Sequence, residues 1–272
     1  DAFTAYELFE RAYPLFDEQD DVLGLYMCWI GAATALFFGH DDMTPVPGWI
    51  VRLEALRARH PRWPSLEVQA RVTTAVLGSL PFGDALNPAL PDWVARAERI
   101  YRYMPIGAVR CFVGHQLGMY YSFYGHIDKL TILAEQLRPL IESPKIPDIA
   151  RLLAAPIPVF AAWQTGNLAA ANEAIARGLS LIEASGVHIT SQWFYTSAIV
   201  ARMCHADLKG ADEYMAHYEK NIDPRNRVDL GFREFAASWR ALLLGDFRTA
   251  KTRIETSLAH LAGLPNNSYL FL

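Results

Sequence analysis

Short Gly, Asp, Asn and His punctuations return along this chain at nearly constant intervals. That periodicity limits the possible folds more than any other feature. They are Gly39-His40-Asp41, Gly83-Asp84, Gly125-His126, Gly166-Asn167, Ala206-Asp207 and Gly245-Asp246. Their first residues are separated by 44, 42, 41, 40 and 39 positions. A glycine reaches the left-handed conformation that closes one helix, and the Asp or Asn after it caps the next. Behind three of the caps the same phrase recurs: Asn167-Leu168-x-x-Ala171, Asp207-Leu208-x-x-Ala211 and Asp246-Phe247-x-x-Ala250. The apolar residue packs back on the preceding helix, and the alanine one turn later lets two helix axes approach. Repeats of this length stack helix pairs side by side.

Between punctuations the apolar residues keep helical spacing, as in Leu168, Ala171, Ile175, Leu179 and Ile182. Prolines cluster between the blocks, with Pro156 and Pro158 near a helix start and Pro81 and Pro105 near ends. No alternation of polar and apolar residues suggests a sheet. The expected fold is all-α: an α-α superhelix of about six helix pairs, residues 1–272 forming one helical-repeat domain. Asp1-Ala2-x-x-Ala5, with Phe9 and Ala12 following, repeats the cap phrase, which predicts a leading half-repeat. Asn267 to Leu272 reads as the start of another helix, and there is no initiator Met. The chain is therefore expected to be a fragment of a longer one.

Apolar residues make up 52% and charged residues 20%, which argues for a folded chain. The apolar runs read as short blocks below the ~20 residues of a membrane span, and no secretory leader is recognisable. A cytoplasmic protein without membrane contact is expected. The net charge of −4 offers no basic footprint for direct nucleic-acid binding. Cys28, Cys111 and Cys204 stand far apart in apolar runs and read as buried thiols.

The residue patterns of chemistry are missing. There is no phosphate-binding loop, dinucleotide fingerprint, His-Glu-x-x-His, Cys-x-x-Cys or Gly-x-Ser-x-Gly. His40-Asp41-Asp42 comes nearest to a cation site and reads better as a turn. No enzyme activity, metal or cofactor is expected.

His115 to Tyr121 resembles the first helix of a tetratricopeptide repeat, W-x-x-L-G-x-x-Y. Leu117, Gly118 and Tyr121 match, and Gly114 stands where the Trp would be. The small–bulky–small set of the second helix is similar to Ala171, Ile175, Gly178 and to Ala250, Ile254, Ser257. The period is longer than that family's ~34 residues. Phrases such as Trp163 to Leu168 and Leu179 to Gly186 resemble the superhelical region of MalT-like large ATP-dependent bacterial transcription regulators. That resemblance implies a non-catalytic sensor or scaffold module in signalling or transcription regulation, working with neighbouring domains of a parent chain. A general scaffold that docks a peptide or helix, unrelated to transcription, is the alternative. An all-helical enzyme would need convergent Asp or His clusters that the sequence does not display.

In a solenoid the first helix of each pair lines the concave wall. Rotating away from Leu117, Gly118 and Tyr121 gives the stripe Phe112, His115 and Met119. The same phase elsewhere selects Tyr26 and Trp29, Phe160 and Trp163, Trp193, and Phe232 and Trp239. Such a wall would take a peptide, a partner domain or a small amphipathic effector. The same aromatics could equally pack between repeats. Arg71, Arg110, Arg202 and Arg233 are candidates to meet a carboxylate or phosphate, whereas Arg52, Arg57, Arg59 and Arg62 read as a solvated face.

Overall fold

The computed structural model describes residues 2–39 and 42–262, all helices and connections, with no strand among them. The chain divides into two compact units, one ending at Pro105 and the other running from Ile106 to Ala262.

Unit 1 holds α1 (Ala2–Glu18), α2 (Val22–Gly39), α3 (Val46–Arg59), α4 (Leu66–Gly83) and α5 (Leu90–Tyr103). Its centre is α2, which packs on α1, α3 and α4. Over 18 residues α2 carries no charge, and its mean hydropathy is 1.7, enough by length and composition to cross a membrane. This corrects the expectation that no apolar run approaches spanning length. A helix apolar on all sides is either a membrane span or a core helix. Here Leu25, Tyr26, Trp29 and Ala32 are fully enclosed by neighbouring helices. Trp29 Nε1 donates to the Trp49 carbonyl at 2.6 Å, and Cys28 Sγ donates to the Phe9 carbonyl at 3.1 Å. The arginines expected to be solvated are partly structural. Arg52 pairs with Glu10 at 3.0 Å and Arg59 with Asp17 at 2.6 Å, bracing α3 on α1.

Unit 2 holds α6 (Ala108–Phe123), α7 (Ile127–Glu142), α8 (Asp148–Ala154), α9 (Pro156–Gln164), α10 (Leu168–Ser185), α11 (Ser191–Cys204), α12 (Leu208–Glu219), α13 (Arg227–Leu243) and α14 (Phe247–Leu261). Its turns follow the punctuation. Gly125, Gly166 and Gly245 have φ of +73°, +72° and +77°, and Ala206 takes the same left-handed region at +54°. The Asn167, Asp207 and Asp246 side chains accept from the backbone N–H groups of Ala170, Gly210 and Thr249. Behind each cap, Ala171, Ala211 and Ala250 are buried. Two glycines mark close helix–helix approaches. A Cβ on Gly118 would stand 2.6 Å from Ile157, and one on Gly178 would stand 2.1 Å from Phe194.

Some punctuations behave differently. Gly83 closes α4, yet Asp84 accepts from Asn87 Nδ2 at 2.9 Å within a loop, and α5 starts only at Leu90. His126 precedes α7 without a side-chain cap. His40 and Asp41 lie outside the described residues. Prolines also enter helices: Pro14, Pro81 and Pro139 sit near the C-terminal ends of α1, α4 and α7. There a missing N–H removes one ladder bond close to the fraying end. Pro156 splits what would be one helix into α8 and α9.

Candidate functional site

The predicted stripes lie on α2, α6, α9, α11 and α13. Within unit 2, α9 touches α6 and α11, and α11 touches α13. Helices in direct contact bury the residues that face one another, so much of the aromatic set is enclosed. In unit 1, Tyr26 and Trp29 are core residues and line no groove. In unit 2, His115, Met119, Phe160 and Phe232 are buried, while Phe112, Trp163, Trp193 and Trp239 remain half-buried.

Two groupings result. On α13, Phe235 lies 6.0 Å from Phe232 and 5.7 Å from Trp239, and Tyr218 meets Phe232 edge-on at 5.3 Å. This is hydrophobic packing, and Trp163 also leans on it. The second grouping is different in kind. His115 on α6 stacks on Trp193 of α11, with centroids 5.0 Å apart and planes 18° apart. His115 is 2% exposed, and neither ring nitrogen has a hydrogen-bond partner.

Other polar atoms on the same helices share this condition. Gln116 Oε1, Trp163 Nε1, Gln164 Oε1 and both ends of the Gln192 amide are buried without partners among the described residues. Gln164 is held by its other end, Nε2 donating to Ser122 Oγ at 2.6 Å. An unsatisfied buried polar atom costs about 1–3 kcal/mol, so native chains rarely tolerate several together. Buried polar atoms of this kind are commonly satisfied by water or by a bound molecule.

The seam is also uncharged. Burial pushes the His115 pKa down to about 3, and the nearby Leu153 backbone, short of hydrogen-bond geometry, opposes this only in part. The arginines considered as anion partners are already committed. Arg202 meets Asp207 at 3.1 Å, Arg233 and Arg253 share the buried Glu234, and Arg71 meets Glu67 at 2.6 Å. Arg110 is engaged as well. An uncompensated ionic ligand would therefore find no counter-charge from these arginines.

The glutamines were missed because an uncharged amide carries no catalytic or metal motif. A signal existed nonetheless. His115-Gln116, Trp163-Gln164 and Gln192-Trp193 set a glutamine beside an aromatic ring on three successive first helices.

A separate cleft of about 420 Å³ opens between α11 and α12, lined by Arg202, Asp207, Lys209, Glu213, Tyr214 and His217. Its charges are of both signs, and the Arg202–Asp207 pair already closes part of it. Among the described residues no group of three His, Cys, Asp or Glu side chains could hold a metal, and the His40-Asp41 part of the expected cation site is outside them. Cys28 and Cys111 are buried, with burial raising both thiols to about 11, but Cys204 is exposed where a buried thiol was expected. It ends α11, next to the tight turn at Ala206. No family model, curated protein or solved structure matches the chain.

Proposed function

We propose that this chain is a non-catalytic binding module whose aromatic and amide seam on α6, α9 and α11 takes a small amphipathic effector. The observation that carries the reading is the set of enclosed, partnerless polar atoms on α6, α9 and α11, the helices that also carry the His115–Trp193 stack. An aromatic face offers dispersion and desolvation, and neutral amides and an indole N–H offer directional hydrogen bonds. That combination suits an uncharged molecule with an apolar face and a polar edge. Trp163, Gln192 and Trp193 are half-buried and would be the residues a ligand reaches, whereas His115, stacked on Trp193, is buried.

The absence of a charged group supports binding over catalysis. A histidine held neutral down to about pH 3 is a poor general base, because it is too weakly basic to draw a proton at neutral pH. The helix pairs of the chain would stack as a right-handed superhelix, with this seam on its concave side. In a parent regulator of the MalT-like kind, such a module would be the sensor, shifting a neighbouring switch by binding one curvature better than another.

A screen of uncharged amphipathic compounds and peptides, read by intrinsic tryptophan fluorescence, tests this. Trp193→Ala is expected to weaken a hit about thirtyfold, as lost aromatic anchors commonly do. Gln192→Leu should weaken it by an amount consistent with one or two lost hydrogen bonds. A hit whose affinity ignores both substitutions would overturn the reading.

A further inference from the structure

Unit 1 carries a second constellation, independent of the seam. Trp63 lies in the loop between α3 and α4, half-buried, with the Tyr26 ring 5.3 Å away. The Arg57 guanidinium from α3 stands 4.0 Å from the Trp63 centroid, and Arg96 from α5 stands 5.8 Å from it. Two cations from different helices thus converge on one indole. Cation–π attraction to a shared ring offsets part of their repulsion but supplies no negative charge.

Arg57 is held in place by its own loop, Nη1 donating to the Pro61 carbonyl at 2.8 Å. Arg96 packs over Trp93 as well, at 5.1 Å, and its Nε is enclosed without a hydrogen-bond partner. Arg99 follows one turn later on the same helix. Among the described residues, none of these three forms an ion pair with a carboxylate, whereas Arg52, Arg59 and Arg71 nearby each do. Burial first, and then the charges of Arg57 and Arg99, lowers the Arg96 pKa below the ordinary arginine value, and Asp92 opposes this least.

We propose that Arg57 and Arg96, which meet at Trp63, form with Arg99 one turn along α5 a binding site for a phosphate group. Guanidinium forks match tetrahedral and planar oxyanions through paired N–H donors. Three like charges without a counter-ion fit a dianion better than a single carboxylate. The phosphate could be free or carried on a larger molecule, and either source presents the same oxygens.

The test titrates inorganic phosphate, phenyl phosphate and acetate into the whole chain at constant ionic strength, following thermal unfolding and heat of binding. Phosphate is expected to raise Tm saturably, and acetate to match chloride. Tighter binding of phenyl phosphate would point to an organic phosphate as the natural source, and equal binding to the free ion. Arg96→Gln should weaken phosphate at least tenfold. In phosphate-free buffer it should leave Tm unchanged or raised, since it relieves repulsion. Arg99→Gln, at an exposed position, should weaken phosphate about threefold or more. A phosphate response equal to that of chloride, or one retained in both variants, would overturn the proposal. So would a fall in Tm on Arg96→Gln in phosphate-free buffer, which would mark the arginine as a structural brace.

Discussion

His115 is buried and Asp229 half-buried, and these two titratable groups pull the pH dependence of stability in opposite directions. Burial holds His115 at about 3, against about 6.5 in an unfolded chain. Between those values the unfolded chain binds a proton that the folded chain refuses, so stability is lost as pH falls below about 6.5. Asp229 is raised to about 6, mainly by burial, with the Tyr218 hydroxyl at 3.2 Å opposing the shift. Its unfolded value is about 3.9. The folded chain therefore takes up that proton first, and stability is lost as pH rises through about 6. Both effects fall between about pH 4 and 6.5, where they offset each other. In urea titrations between pH 4 and 8, His115→Asn should therefore leave stability falling as pH rises from about 4 to 6, and Asp229→Asn should leave it rising over about 4 to 6.5, with neither changing the slope above about 7. Unchanged slopes in both variants would show that neither group is buried as described. At this scale the sequence was half legible. Helical phase placed His115 on the right stripe, but its stacking on Trp193, 78 residues away, is a tertiary fact.

Local chemistry explains which elements were legible. Gly166-Asn167 and Gly245-Asp246 combine a residue suited to positive φ with a side chain that reaches the third N–H beyond it, and both act as read. Gly83-Asp84 has the same letters and ends its helix, but the prolines and asparagine that follow offer another use for the Asp84 carboxylate. The helix contacts behind the caps yield a direct prediction. Ala171 is fully enclosed and Ala250 is 7% exposed, so phenylalanine at either site must displace a neighbouring helix. Ala171→Phe and Ala250→Phe should each cost about 1–3 kcal/mol in urea unfolding. The exposed neighbour Ala169, changed to phenylalanine, should be close to neutral. Equal effects at Ala169 and Ala171 would mean that the enclosed alanine is not at a helix contact.

For the whole molecule, periodicity announced an all-helical array but gave no hint of the division after Pro105. The punctuations continue across that point at unchanged spacing, because they report local turns. Where compact units separate depends on contacts distant in sequence, which no local pattern records. Unit 2 holds its own hydrophobic clusters, one around Phe194 and one around Tyr218. Residues 106–262 expressed alone should therefore be helical by circular dichroism and melt in a single cooperative transition. A fragment that is helical yet melts without cooperativity would show that its packing needs the rest of the chain.

The uncharged length of α2 has a consequence for how the protein is made. Its packing partner α4 ends at Gly83, 44 residues after α2 does. At about 5–20 residues per second, that interval leaves α2 without its α4 cover for several seconds during synthesis, with α1 already made. Throughout that time the nascent chain displays a segment with the length and hydropathy that membrane-targeting factors and hydrophobic-segment chaperones select. Unit 1 thus completes the enclosure of α2 only once α4 has been made.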